Sequence, residues 1–108
     1  MTNNHVRLIG YIGKHLSAST SLKGNRRLQM RIATHYATEN TDGTRQFHTV
    51  WHDVIAWGSI AEWAEGSFVK GSRVLVEGSI EYHTYPDRAG HTRYITRIAA
   101  HSLLNLDR

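Results

Sequence analysis

Cysteine is absent from the 108 residues, which excludes a disulfide scaffold, thiol catalysis and a Cys-ligated zinc site. Proline occurs once, at Pro86, so few strands or helices are interrupted by it. No apolar run approaches the ~20 residues that a membrane-spanning helix needs. The opening Met1-Thr2-Asn3-Asn4-His5 lacks the basic-then-apolar order of a secretory signal and the Arg/Ser bias of a transit peptide, so a cytoplasmic, nucleoid-associated location is expected. Acidic residues are outnumbered, at 9 against 13 Lys+Arg, for a net charge of +4 with histidine neutral. The excess lies in residues 1–54, with seven basic and three acidic side chains; residues 55–108 carry six of each. Such an excess favours a polyanionic partner, and nucleic acid is the commonest.

Hydrophobic residues make up 40% of the chain and charged ones 20%, a globular balance whose length suits one domain over residues 1–108. Glycines at intervals divide it into short strands. Val6–Gly13 reads as a first strand with a glycine bend, and the polar stretch Lys14–Asn25 as a loop or ragged edge. Residues 27–37 alternate: Leu28, Met30 and Ile32 point one way, Arg27, Gln29 and Arg31 the other. Residues 38–45, around an Asp-Gly pair, predict a hairpin turn, and a third strand runs from about Gln46 to Trp57.

Ser59 and Glu62 have the spacing of a capping box, predicting a helix start. Ile60, Trp63, Ala64 and Phe68 recur at helical spacing, which assigns Trp63 to the core. Lys70-Gly71-Ser72 closes the helix. Strands are expected over Arg73–Thr84, with Val74, Val76, Ile80 and Tyr82 on one face, and Thr92–Leu104, joined by Pro86-Asp87-Arg88-Ala89-Gly90. Three strands, one helix and two strands give the element order of an all-β, five-stranded Greek-key barrel, the OB-fold, with its helix between strands three and four.

The informative segment is Phe47–Trp57. Strand alternation puts Val50, Val54 and Ala56 on one face with His48 and His52, and Phe47, Trp51, Ile55 and Trp57 on the other. Small aliphatics suit a barrel interior, leaving two indoles about 20 Å apart on the outside. Unpaired bases stack on such rings for ~1–3 kcal/mol each, whatever the base, while nearby arginines neutralise phosphates. Trp51 and Trp57, with Arg27 and Arg31, are therefore candidate contacts for single-stranded nucleic acid. Tyr36 and Tyr85 extend the aromatic series. The competing arrangements are indoles turned inward, or an indole in a subunit contact.

These residues resemble the bacterial single-stranded DNA-binding protein family, SSB, over nearly the whole chain. Asn4–Gly13 is similar to the family's N-x-V-x-L-x-G-x-x-G opening, Trp51–Gly58 to W-H-x-V-x-x-[FW]-G, with Ala61-Glu62 after it, and Lys70–Gly78 to K-G-x-x-V-x-V-E-G. Gly90, Arg93-Tyr94 and Thr96 match the closing hairpin. The resemblance implies an OB-fold homotetramer (or a dimer) that wraps single-stranded DNA in replication, recombination and repair. It implies stacking by Trp51, Trp57, Tyr85 and Phe68, a basic contact at Arg93, and subunit association through His52; Val6 and Leu8 on the first strand are also expected at the subunit interface. The chain departs from the pattern at Asp53, Glu81 and His83, where basic or amide residues are usual, and at Thr38, in place of a second-strand aromatic. Fewer phosphate contacts and a shallower salt slope are expected, with Arg27, Arg31 and Arg88 as substitutes. The sequence stops at Asn105–Arg108, where the family continues into an acidic tail that recruits replication and repair enzymes, so any such partners are expected to be engaged without that tail.

No cofactor or metal is expected: His48 and His52 would lie about 13 Å apart on a strand, and the nine acids are dispersed. An enzyme is accordingly not expected. The alternative readings are a primosomal PriB-like replication-restart protein and a protein-interaction module on the same fold.

Overall fold

The apolar alternation of the long strands decides how they curl. In the computed structural model, which describes residues 2–13, 17–20 and 23–107, the elements are β1 (Val6–Ile12), β2 (Ser17–Thr20), β3 (Arg26–Glu39), β4 (Arg45–Trp57), α1 (Gly58–Ser67), β5 (Arg73–Pro86) and β6 (Thr92–Asn105). Strands neighbour one another in the order β1-β5-β6-β4-β3-β2, and β1 pairs again with β3 through Tyr11–Ala33 and Ile12–Ile32. That second pairing closes five strands into a barrel. All ladders are antiparallel except β4 with β6, which meet in parallel at Val54–Ile98 and Ile55–Ala99. Closure demands close approach at Gly10, where an added Cβ would collide with the Ala33 carbonyl oxygen. The fold is the expected all-β OB barrel with one helix, here between β4 and β5.

Leu28, Met30 and Ile32 of β3, Val54 and Ala56 of β4, Val74 and Val76 of β5 and Ile98 of β6 fill the interior, with Ala61, Ala64 and Phe68 plugging one end. Burying each Val, Leu or Ile contributes about 1.5–3 kcal/mol, so this single core accounts for the barrel's cohesion. The β3–β4 and β5–β6 hairpins run on past it, to the pairs Glu39–Arg45 and Pro86–Thr92. Their tips are exposed. Tyr82 therefore shares the face of Val74 and Val76 yet stands in solvent.

Three local expectations are corrected. The stretch expected to be a loop contains the edge strand β2, whose four residues pair with Arg26–Gln29. All four are exposed, so no hydrophobic alternation marks them; residues 14–16, 21 and 22 of that stretch lie outside the described residues. The Ser59–Glu62 capping box does not form. β4 runs directly into α1, whose N-cap is Trp57 with no side-chain cap bond, and Ser59 already lies inside the first turn. Finally, Trp63 is not in the core: it is 47% exposed. Ala61 and Ala64 are the buried helix positions, and at ~100° per residue Trp63 lies about 130° round from their midpoint. Its ring meets that of Phe68 nearly at right angles, with centroids 5.4 Å apart.

Candidate nucleic-acid interface

The β3–β4 register brings basic and aromatic side chains into facing pairs. Arg27 lies opposite Trp57, Gln29 opposite Ile55, Arg31 opposite Asp53 and Ala33 opposite Trp51. Directly opposed residues share a face, and these lie on the outside of the barrel. Trp51 is 48% and Trp57 44% exposed. The Arg27 guanidinium carbon stands 5.7 Å from the Trp57 ring centroid, and that of Arg31 stands 5.1 Å from Trp51. Cation–π attraction of about 0.5–1 kcal/mol at such exposed sites favours these ring orientations before any ligand arrives. It also offsets part of the cost of Arg27 Nε, which is buried without a hydrogen-bond partner among the described residues. Beneath Trp51 the chain is small: Ala33 is buried opposite it, and a Cβ on Gly13 would come within 2.8 Å of its six-membered ring.

The same face continues onto β5–β6, where Arg97 opposes Glu81, Ile95 opposes His83 and Arg93 opposes Tyr85. Between the two hairpins lies a groove of about 300 Å³ lined by Gln29, Arg31, Asp53, Ile55, Ile95 and Arg97, among others. Ile55, though on the indole side, is buried beside Ala99 and forms its floor. The groove's cations already carry anions. Arg31 Nε is 3.6 Å from Asp53, Arg97 Nε 3.5 Å from Glu81, and Arg93 Nε donates to Asp87 at 2.8 Å. His83 donates to Glu81 at 3.0 Å, and that bond, followed by Arg97, holds the Glu81 carboxyl below the ordinary carboxylate range. Asp87 is lowered as well, chiefly by the backbone N–H of His91 and then by Arg93.

Not every residue expected at the site reaches it. Phe68 is 2% exposed and packed in the core, so it offers no face to a base. It follows the last turn of α1 with extended backbone angles, and its N–H bonds back to Ala64. Tyr36 opposes His48 on the other face of the β3–β4 ribbon and stacks on it, centroids 4.7 Å apart. Tyr85 is half-exposed near the β5–β6 tip, and Arg88 lies in the exposed turn beside it. Arg26, close in sequence to Arg27, is instead bound by both oxygens of Glu65 on α1. The sequence reading did not single out Tyr94 as a site residue, yet it is the most exposed large apolar side chain described, at 82%. Its position opposite Thr84, on the ribbon face away from the groove, follows from counting residues back from the turn.

His52, Val6 and Leu8, expected at a subunit contact, line one concavity of about 380 Å³ together with Trp51, Ile80 and Ile98. Val6 and Leu8 also pack against the core, leaving Arg7, Ile9 and Tyr11 as the outward residues of β1. His52 Nε2 is 2.9 Å from Thr34 Oγ1. Burial pushes its pKa below the ordinary 6.5, against the weaker opposing pull of Asp53. Among the described residues no three His, Cys, Asp or Glu side chains are grouped to hold a metal ion, and no helix is long and apolar enough to cross a membrane.

The model of the single-strand binding protein family matches residues 3–106. The chain belongs to that family. Among curated relatives, it is 29% identical over 96 residues to single-stranded DNA-binding protein 1 of Chlorobaculum tepidum, covering 88% of this chain and 59% of the relative. It is 32% identical over 100 residues to the single-stranded DNA-binding protein of Xanthomonas axonopodis pv. citri, covering 93% of this chain and 56% of the other. The chain thus spans under three fifths of the length of these relatives. Among solved structures, Plasmodium falciparum SSB in complex with single-stranded DNA superposes with a TM-score of 0.90, at 22% identity, over 99% of this chain and 97% of that one. A deletion mutant of the single-stranded DNA-binding protein from Thermus aquaticus gives 0.83 at 23% identity, over 96% and 50%. At those identities the two structures establish the fold the family shares.

Proposed function

We propose that this chain is a single-stranded DNA-binding domain that covers and protects unpaired strands without sequence preference during replication, recombination and repair. The observation that carries the reading is the pair of half-exposed indoles, Trp51 and Trp57, each under an arginine on one continuous outer face. A flat ring stacks on any base, and a duplex has no free base faces to offer. Arg27, Arg31, Arg93 and Arg88 attend the phosphates, and Tyr85 adds a ring near the second hairpin's tip. Family membership supports a binding protein with no catalytic step or cofactor, working in the cytoplasm on the nucleoid. It supports a homotetramer, or a dimer, and the shared concavity of His52, Val6 and Leu8 supports their part in subunit contact.

The test is anisotropy of labelled oligo-dT, oligo-dA and mixed-sequence strands beside a duplex of equal length, with solution mass measured in parallel. Comparable affinity for the three strands and much weaker duplex binding is expected. Equal duplex binding, or no strand binding by a folded protein, would overturn the reading.

A further inference from the structure

We infer that Asp53 and Glu81 are selectivity residues: they occupy groove arginines in the free protein, so that a polyanion without exposed bases gains little by binding. The inference rests on the single-strand reading above.

Three arginines of the outer face, Arg31, Arg97 and Arg93, are each paired with a carboxylate of the chain itself. Arg27 differs: it lies on Trp57, and no ion pair to it is formed among the described residues. The Arg31–Asp53 and Glu81–Arg97 pairs are directly opposed cross-strand residues, so ladder register, and not side-chain wandering, sets them together. Asp87 is different in kind. It also accepts the N–H groups of Ala89 and His91 and so builds the hairpin turn.

The side chains of Arg31 and Asp53 are each about half exposed, at 53% and 52%, so an incoming strand can reach either. A phosphate approaching Arg31 or Arg97 meets a carboxylate already beside the guanidinium, so fewer counterions are released on balance than at a free arginine. A single strand recovers that loss by stacking, worth roughly 5- to 150-fold in affinity per base. Duplex DNA, heparin or polyphosphate recovers nothing. Duplex DNA also sets about twice the charge per unit length against the same carboxylates, so it is repelled more.

The experiment compares wild type with Asp53→Asn, Glu81→Gln and the double variant. Glu62→Gln, on α1 and outside the groove lining, makes the same charge change elsewhere. Amides keep the side-chain shape, and circular dichroism confirms folding. Affinity for oligo-dT and for an equal-length duplex is measured across a salt series. Each groove substitution is expected to raise duplex affinity by roughly 2- to 5-fold, and strand affinity by less. It should also steepen the oligo-dT slope by about 0.7 per freed arginine, while Glu62→Gln leaves the strand-to-duplex ratio and the slope unchanged. An unchanged ratio in the groove variants, or an equal fall in Glu62→Gln, would overturn the inference while leaving the proposed function intact. Wild-type protein that ignores oligo-dT would overturn the function itself.

Discussion

The guanidinium of Arg31 serves two neighbours at once: it lies 5.1 Å from the ring centroid of Trp51, and its Nε is 3.6 Å from Asp53. One side chain thus joins the stacking surface to the groove's charge. Loss of a stacking ring should therefore be separable from loss of charge. Trp51→Ala and Trp57→Ala are each expected to weaken oligo-dT binding by ~1–3 kcal/mol, with little change in salt slope. Titration across several salt concentrations checks both. An affinity equal to wild type in either variant would remove that ring from the site.

Gly13→Ala tests how Trp51 is seated. The new methyl would press on the indole from about 2.8 Å. Because Arg31 O is also near, at 3.2 Å, the ring is the softer neighbour and should swing away. A shifted tryptophan emission maximum and weaker strand binding, with strand content unchanged by circular dichroism, is the expected outcome.

Phe68 and Trp63 separate packing from binding. Phe68→Ala should cost about 3–5 kcal/mol in urea unfolding, as a fully buried aromatic does. Trp63→Ala removes a half-exposed ring and its contact with Phe68, and should cost less, about 1–2 kcal/mol. Phe68 is buried and Trp63 stands on α1, not on the β3–β4 face, so the folded fraction of each variant should bind oligo-dT as wild type does.

Stability should fall on mild acidification because of His52. Its folded pKa is depressed, so the folded state takes up a proton less readily than the unfolded chain. The neutral ring's contribution is complete above its ordinary 6.5 and is lost as pH falls through the lower folded value. Glu81 and Asp87, lowered from 4.5 and 3.8, lose theirs only at more acid pH. Urea midpoints at about pH 7.5 and pH 5 should differ less in His52→Gln than in wild type. An equal difference would show that other groups cause the drop.

Much of this was legible in the residues. Alternation of Leu28, Met30 and Ile32 against Arg27, Gln29 and Arg31 set both the inner and outer faces of β3, and Trp51 and Trp57 fell outside as parity demands. Parity also puts Tyr36 with Met30 and Ile32, away from Arg31, but the pull of an aromatic series masked that. The exposure of Trp63 was not legible, because large apolar residues at helical spacing ordinarily mark a helix's buried side. Here the close approach of α1 to the barrel selects alanines instead. The ion pairs of Asp53 and Glu81 were hidden because cross-strand partners emerge only when two turns fix the register.

The most direct measurement uses Trp63→Phe, which leaves Trp51 and Trp57 as the sole indoles of a chain with three tryptophans. Oligo-dT is titrated while indole emission and the anisotropy of a label on the strand are followed together. Bases stacked on these rings predict strong, saturable quenching that tracks the anisotropy at each salt concentration. A strand that binds by anisotropy while the indole emission stays unchanged would contradict it.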